Sequence, residues 1–321
     1  MKSGEGYLED LKAVSRPIHQ KRILQKACNA LPPGELTQLY LQLPMVGGRE
    51  LCKSAPYFKY MTAPARQRAA HGPQLSKTVE EDGFSFFETP NVVPEQKTLF
   101  VLFGGNGAQF LIPLSAVLYL LPDAPKDVAV VFATQAAKFY LNGLAGMGRN
   151  AYEVSRSLQA RIEFGNYARV IVMGTSSGGV FAQQVAGFLK ADVTLSFAGA
   201  YPFDGAYMGE KENRSLAAFD PMCACRPHKG GRIVNVFSAN SDYDYECSRK
   251  MKAVRPALIE VCLPHHKHHN VLQIMANRGG ARLFMNMVFA KNDAVIRLVS
   301  GLTIGYGVNV VRRIRQALGF T

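Results

Sequence analysis

The chain has 321 residues, 48% of them hydrophobic and 19% charged, which is material for a packed core and excludes a disordered or collagenous chain. Thirty-seven Lys and Arg against twenty-four Asp and Glu leave a net charge of +13, a balance that suits anionic partners. No run reaches the roughly 18 to 20 apolar residues of a membrane span, and the opening MKSGEGYLEDLK has no apolar signal segment, so the sequence predicts a cytoplasmic protein.

In chain order, the first eighty residues read as a basic, helical N-terminal extension (1–80). Leu8, Leu11, Val14 and Ile18 recur at helical spacing, and Ile23, Leu24, Ala27 and Leu31 follow before Pro32 and Pro33 end the run. A short helix over 35–43 is expected to stop at Pro44 and the Gly47-Gly48 pair. From about residue 81 the texture changes. Phe84, Phe86 and Phe87 predict a first strand, and apolar runs at 98–103, 128–132, 170–173, 193–197, 233–237 and 257–263 predict six more. Helical patterns at 111–121, 151–162 and 180–189 lie between them. Continuous apolar strands alternating with helices indicate a mostly parallel sheet covered on both faces, hence an α/β three-layer αβα sandwich over 81–295. The stretch 201–231 is long for a connection and reads as a lid insertion. Over 296–321, Val308, Val311, Ile314 and Leu318 face away from Arg312, Arg313 and Arg315, a basic amphipathic helix suited to contact with an anionic membrane surface. The six cysteines are scattered, which points to reduced thiols rather than a disulfide framework.

The strongest chemical signal is Gly174-Thr175-Ser176-Ser177-Gly178, a G-x-S-x-G pentapeptide after a strand and before a helix. A sharp strand-to-helix turn presents a serine hydroxyl at the end of a sheet, and small residues two positions on either side let strand and helix approach. The G-x-G-x-x-G spacing and the P-loop lysine are both missing from this segment, so it predicts no nucleotide cofactor. A serine hydroxyl needs an imidazole base, and the imidazole needs an orienting carboxylate. After the strand at 233–237 the chain offers Asp242 and Asp244; Asp242 is the first choice because it falls just past the strand end, with Asp244 as the rival. After the strand at 257–263 come His265, His266, His268 and His269. His269 is favoured because Asn270 behind it can open a helix, with His268 and His266 as alternatives. The same histidine tract can also be read as metal binding, but it lacks a further ligand at recognisable spacing, and no metal is predicted. Gly105 or Asn106, in the glycine-rich turn after the strand at 98–103, and Ser177 are the candidate oxyanion-hole donors.

With serine, acid and histidine in this order, the region 82–290 resembles the α/β-hydrolase superfamily. More narrowly, Phe139 to Leu144, the Gly-Thr-Ser-Ser-Gly-Gly turn and His269-Asn270-Val271 resemble a bacterial branch associated with polysaccharide biosynthesis and accessory secretion. The chain departs from that branch at Ser177, where a methionine is common. The superfamily resemblance implies a serine hydrolase with Ser176, an aspartate and a histidine as its triad, acting on a small-molecule or glycan acyl substrate. The branch adds the alternative of an acyl- or acetyltransferase acting on glycans. A non-catalytic scaffold that binds an anionic partner through its basic surface is the reading from a different class, and nucleic acid is a disfavoured partner for want of a recognisable motif.

Overall fold

The computed structural model describes residues 3–53, 75–81, 83–105, 110, 112–131, 144, 146–199, 231–263, 269–277, 284–285 and 289. The predicted lid at 201–231, apart from Gly231, and the predicted C-terminal helix at 296–321 lie outside the described residues.

Eight strands form one sheet: β1 (Ser76–Glu81), β2 (Phe84–Glu88), β3 (Thr98–Phe103), β4 (Lys126–Val131), β5 (Arg169–Thr175), β6 (Val193–Phe197), β7 (Arg232–Ser238) and β8 (Ile259–Leu263). Their spatial order is β1-β2-β4-β3-β5-β6-β7-β8. β2 pairs antiparallel with β1 and β4, and all later pairs are parallel. With helices on both faces, this is the α/β-hydrolase fold, the three-layer sandwich expected from the alternation of apolar strands and helices.

The central strands are apolar along their whole length because both faces are covered. In β3, Phe100 and Leu102 enter one core with Ile171 and Met173 of β5. Leu99, Val101 and Phe103 enter the other with Val170 and Val172. Each such side chain contributes about 1.5 to 3 kcal/mol of burial. The first core is closed by α4 (Leu114–Leu120) and α8 (Val271–Asn277), the second by α5 (Ala151–Arg161) and α6 (Ser177–Ala186). α7 (Asp242–Val254) joins α6 on that second face, where Cys247 and Met251 pack with Val180, Ile233 and Leu258.

Two expectations need correcting. β1 was not foreseen, because Ser76–Glu81 reads SKTVEE, with no apolar run. It is an edge strand whose side chains are exposed or half-buried, and charge there discourages pairing with other chains. The sheet therefore starts inside the stretch read as a helical extension. The third N-terminal helix also does not stop at Pro44; α3 runs Pro33–Lys53. Its Leu36, Leu39 and Leu43 join Tyr7 and Leu11 of α1 (Gly4–Lys12) and Leu24, Ala27 and Cys28 of α2 (Pro17–Ala30) in a separate small core. That tertiary burial outweighs the local cost of a proline within the helix. The Leu114 N–H donates to Asn29 Oδ1 at 3.4 Å, which ties this helical unit to α4. Cys28, Cys247 and Cys262 are free thiols, the first two buried. Among the described residues no helix is long and apolar enough to cross a membrane.

In this strand order the chain steps from β3 outward to β4, then back across β3 to β5. The carboxyl ends of β3 and β5 thus flank the point where an open α/β sheet forms its ligand crevice.

Candidate active site

β5 ends at Thr175 and α6 begins at Ser177, so Ser176 alone makes the turn. Its backbone lies at φ 53° and ψ −123°, a region that a side-chain-bearing residue rarely occupies and that costs about 1 to 3 kcal/mol. Two hydrogen bonds over-determine it: the Ser176 N–H donates to Phe197 O at 2.8 Å, and its carbonyl accepts from the Gly179 N–H at 2.9 Å.

The flanking glycines follow from close backbone approach. A Cβ on Gly174 would sit 2.1 Å from Gly178 O, and one on Gly178 would sit 2.4 Å from both Phe103 O and Gly104 O. The second contact brings the end of β3 directly against the first turn of α6. Gly105, buried just past β3, and the Ser177 amide at the helix N-terminus therefore belong to one corner of the molecule. Asn106, the other candidate in that turn, lies outside the described residues.

The imidazole of His269 bridges two elements. Its Nε2 is 2.7 Å from Ser176 Oγ and its Nδ1 is 2.6 Å from Asp244 Oδ1. A carboxylate only accepts, so Nδ1 carries the proton and Nε2 is left to accept from the serine hydroxyl. His269 is a third exposed, whereas Asp244 is 1% exposed. The histidine stands at the entry to α8, where its carbonyl accepts from the Val271 N–H at 2.9 Å. His266 and His268 lie outside the described residues.

Asp242, the first choice from the sequence, does not meet the histidine. It is the first residue of α7 and is exposed, while the helix cap is Ser241, whose Oγ accepts from the Asp244 N–H at 3.3 Å. Two residues along a helix is a rotation of about 200°, so when Asp244 faces inward Asp242 faces water. Asp244 sits in the first helical turn, where the backbone dipole favours a negative charge.

Two contributors carry no sequence signal. The Phe197 carbonyl that anchors the Ser176 turn is a backbone group. The Tyr243 ring, 6.3 Å from the imidazole and tilted by 59°, is one tyrosine among several. Among the described residues no three His, Cys, Asp or Glu side chains converge as a metal site.

No family model matches the chain, and no curated protein does either. Solved structures that resemble it include Est1E from Butyrivibrio proteoclasticus, at 12% identity and a TM-score of 0.47, covering 68% of this chain and 99% of that one. The Glycosylation Associate Protein (Gap123) complex from Streptococcus agalactiae is similar at 12% identity and a TM-score of 0.46, over 68% of this chain; the chain spans 47% of that one. MGS-MChE2, an alpha/beta hydrolase enzyme from the metagenome of sediments from the lagoon of Mar Chica, Morocco, is similar at 14% identity and a TM-score of 0.44, over 68% of this chain and all of that one.

Proposed function

We propose that the protein is a serine hydrolase that cleaves acyl esters or thioesters through an acyl-enzyme on Ser176. One observation carries this reading: the unbroken hydrogen-bond chain from Ser176 Oγ through His269 to Asp244, at a strained turn opening a helix.

Each residue then has one task. As Ser176 Oγ attacks the acyl carbonyl, His269 Nε2 takes the hydroxyl proton, and Asp244 holds the ring and stabilises the imidazolium that forms. The amide N–H groups of Ser177 and Gly105 receive the oxyanion of the tetrahedral intermediate. The imidazolium returns its proton to the leaving alkoxide or thiolate. Water, deprotonated by the same Nε2, then attacks the acyl-enzyme, releases the carboxylic acid and restores the Ser176 hydroxyl.

Labelling with a fluorophosphonate probe, followed by peptide mapping, tests this directly. The expected result is a single adduct on Ser176, absent from Ser176→Ala, together with hydrolysis of p-nitrophenyl and thioester acyl substrates that falls roughly 10⁴-fold or more in that variant. A well-folded wild type with neither adduct nor turnover would sink the proposal.

A further inference from the structure

A row of one glycine and three polar residues crosses the sheet beneath the strained turn. Gly174 on β5, Ser196 on β6, Asn235 on β7 and Glu260 on β8 are successive register partners. Covered strands normally carry apolar residues at such positions, since a buried polar group must find a hydrogen bond. Here the outer half of the row finds one on α7. Asn235 Nδ2 donates to Ser248 Oγ at 3.0 Å, and the Ser248 hydroxyl donates to Glu260 Oε1 at 2.8 Å. The sense of donation follows from chemistry: the carboxylate only accepts, so it takes the hydroxyl's one proton, and the amide N–H meets the hydroxyl's lone pair. Ser248 and Asn235 are both essentially inaccessible to solvent.

Ser248 lies four residues after Asp244, one turn along the same face of α7. The acid that meets His269 stands on this helix, so it moves whenever the helix rotates or slides. The apolar contacts of Cys247 and Met251 hold α7 in place but have no direction, and the hydrogen bond from Gln183 Nε2 to Met251 Sδ at 3.3 Å is a weak one to a thioether on a flexible side chain. A hydrogen bond does have direction, and Ser248 makes one to each of two neighbouring strands. The geometry points to Ser248, clamped between Asn235 and Glu260, as the positioning residue that sets Asp244 against His269. It never touches the reacting atoms; it acts through the helix.

The inference rests on the hydrolase reading only for its kinetic readout, so the test has two arms. In the first, proton NMR of the free protein follows the far-downfield Nδ1–H resonance of a carboxylate-bound imidazole. The resonance is present in wild type, lost or shifted upfield in Ser248→Ala, and retained in Glu260→Gln, whose side-chain carbonyl still accepts from Ser248. In the second, kcat for p-nitrophenyl acetate falls roughly 10- to 100-fold in Ser248→Ala at unchanged KM, the scale expected of a misaligned reacting group. Glu260→Gln stays near wild type. In an Asp244→Asn background the Ser248→Ala substitution costs nothing further, because the group it positions is already disabled. Should Ser248→Ala fail to fold, Glu260→Leu on the edge strand carries both arms. An unchanged resonance in Ser248→Ala, or an equal loss of kcat in both backgrounds, overturns the inference. A wild type with no turnover and no probe adduct overturns the hydrolase reading alone, since the resonance still reports on Ser248.

Discussion

The two ends of the sheet solve opposite problems with the same kinds of residue. At the amino ends of the central strands, Lys97 and Asp127 form a buried ion pair at 2.9 Å, exposed by 5% and 1%. Both Asp127 oxygens are satisfied, Oδ1 by the Thr89 N–H at 3.1 Å and Oδ2 by the Tyr167 hydroxyl at 2.9 Å. At the carboxyl ends, Asp244 is as deeply buried, yet only its Oδ1 is engaged, by an imidazole rather than a fixed cation, and Oδ2 makes no hydrogen bond among the described residues. Beside it the Ser176 backbone is strained. One end holds a closed network that locks β3 to its neighbours; the other keeps a proton path and stored strain. The difference teaches that burial alone does not distinguish a structural carboxylate from one with the catalytic role proposed for Asp244. What the carboxylate is paired with, and whether that partner can exchange a proton, does.

The comparison can be broken most sharply by exchanging effects between the ends. Asp244→Asn should lower ester turnover by roughly 10⁴-fold, because the amide no longer enforces the tautomer with Nε2 free to accept, and should leave unfolding by urea little changed. Asp242→Asn should stay within about twofold in the same assay, since that carboxylate is exposed.

At the other end the pattern should reverse. Asp127→Ala leaves Lys97 buried without its counter-charge and should cost about 3 to 5 kcal/mol of stability in urea unfolding, while the protein that remains folded keeps its turnover per active site. If that variant lost activity without losing stability, the division between the two ends would fail.

Tyr167 sharpens the contrast further. Burial, and then its hydrogen bond to Asp127, push the Tyr167 hydroxyl well above the usual tyrosine range. Because the folded state favours the protonated form, this contribution is fully present below about pH 10, where an unfolded tyrosine ionises, and is lost as pH rises beyond that. Tyr167→Phe should cost about 1 kcal/mol near neutral pH and flatten the alkaline decline in stability, read from thermal melts between neutral pH and pH 11.

The last test falls on the strained turn itself. Ser176→Gly abolishes the nucleophile but allows the φ of 53° without penalty, and should raise stability by about 1 kcal/mol in chemical unfolding. A Ser176→Gly variant less stable than Ser176→Ala, which lacks the same hydroxyl but keeps the Cβ, would mean that the turn stores little strain.

Much of this organisation was written in the sequence. The continuous apolar strands, their alternation with helices and the G-x-S-x-G turn are local patterns, and each of these strands and helices forms within a few residues of where its pattern lies. His269 was separable from its neighbours because a helix opens immediately behind it. β1 was not legible, because SKTVEE is held by pairing with Phe84–Glu88 and not by any property of its own. The extent of α3 past Pro44 was illegible for a related reason, since the turns before the proline are fixed by packing of Leu36, Leu39 and Leu43 with α1 and α2, which no local pattern reports.

The choice between Asp242 and Asp244 marks the boundary most clearly. Composition and order along the chain determined that a carboxylate would follow β7, and that a serine and a histidine would stand at the ends of other strands, because strand periodicity and turn chemistry act over a few residues. Which carboxylate faces the histidine depends on the rotation of α7 about its axis, at 100° per residue. Contacts with β7, β8 and α6, drawn from segments up to about seventy residues away, set that rotation. Only the tertiary structure could decide it, because no local pattern carries a helix's phase relative to elements that distant.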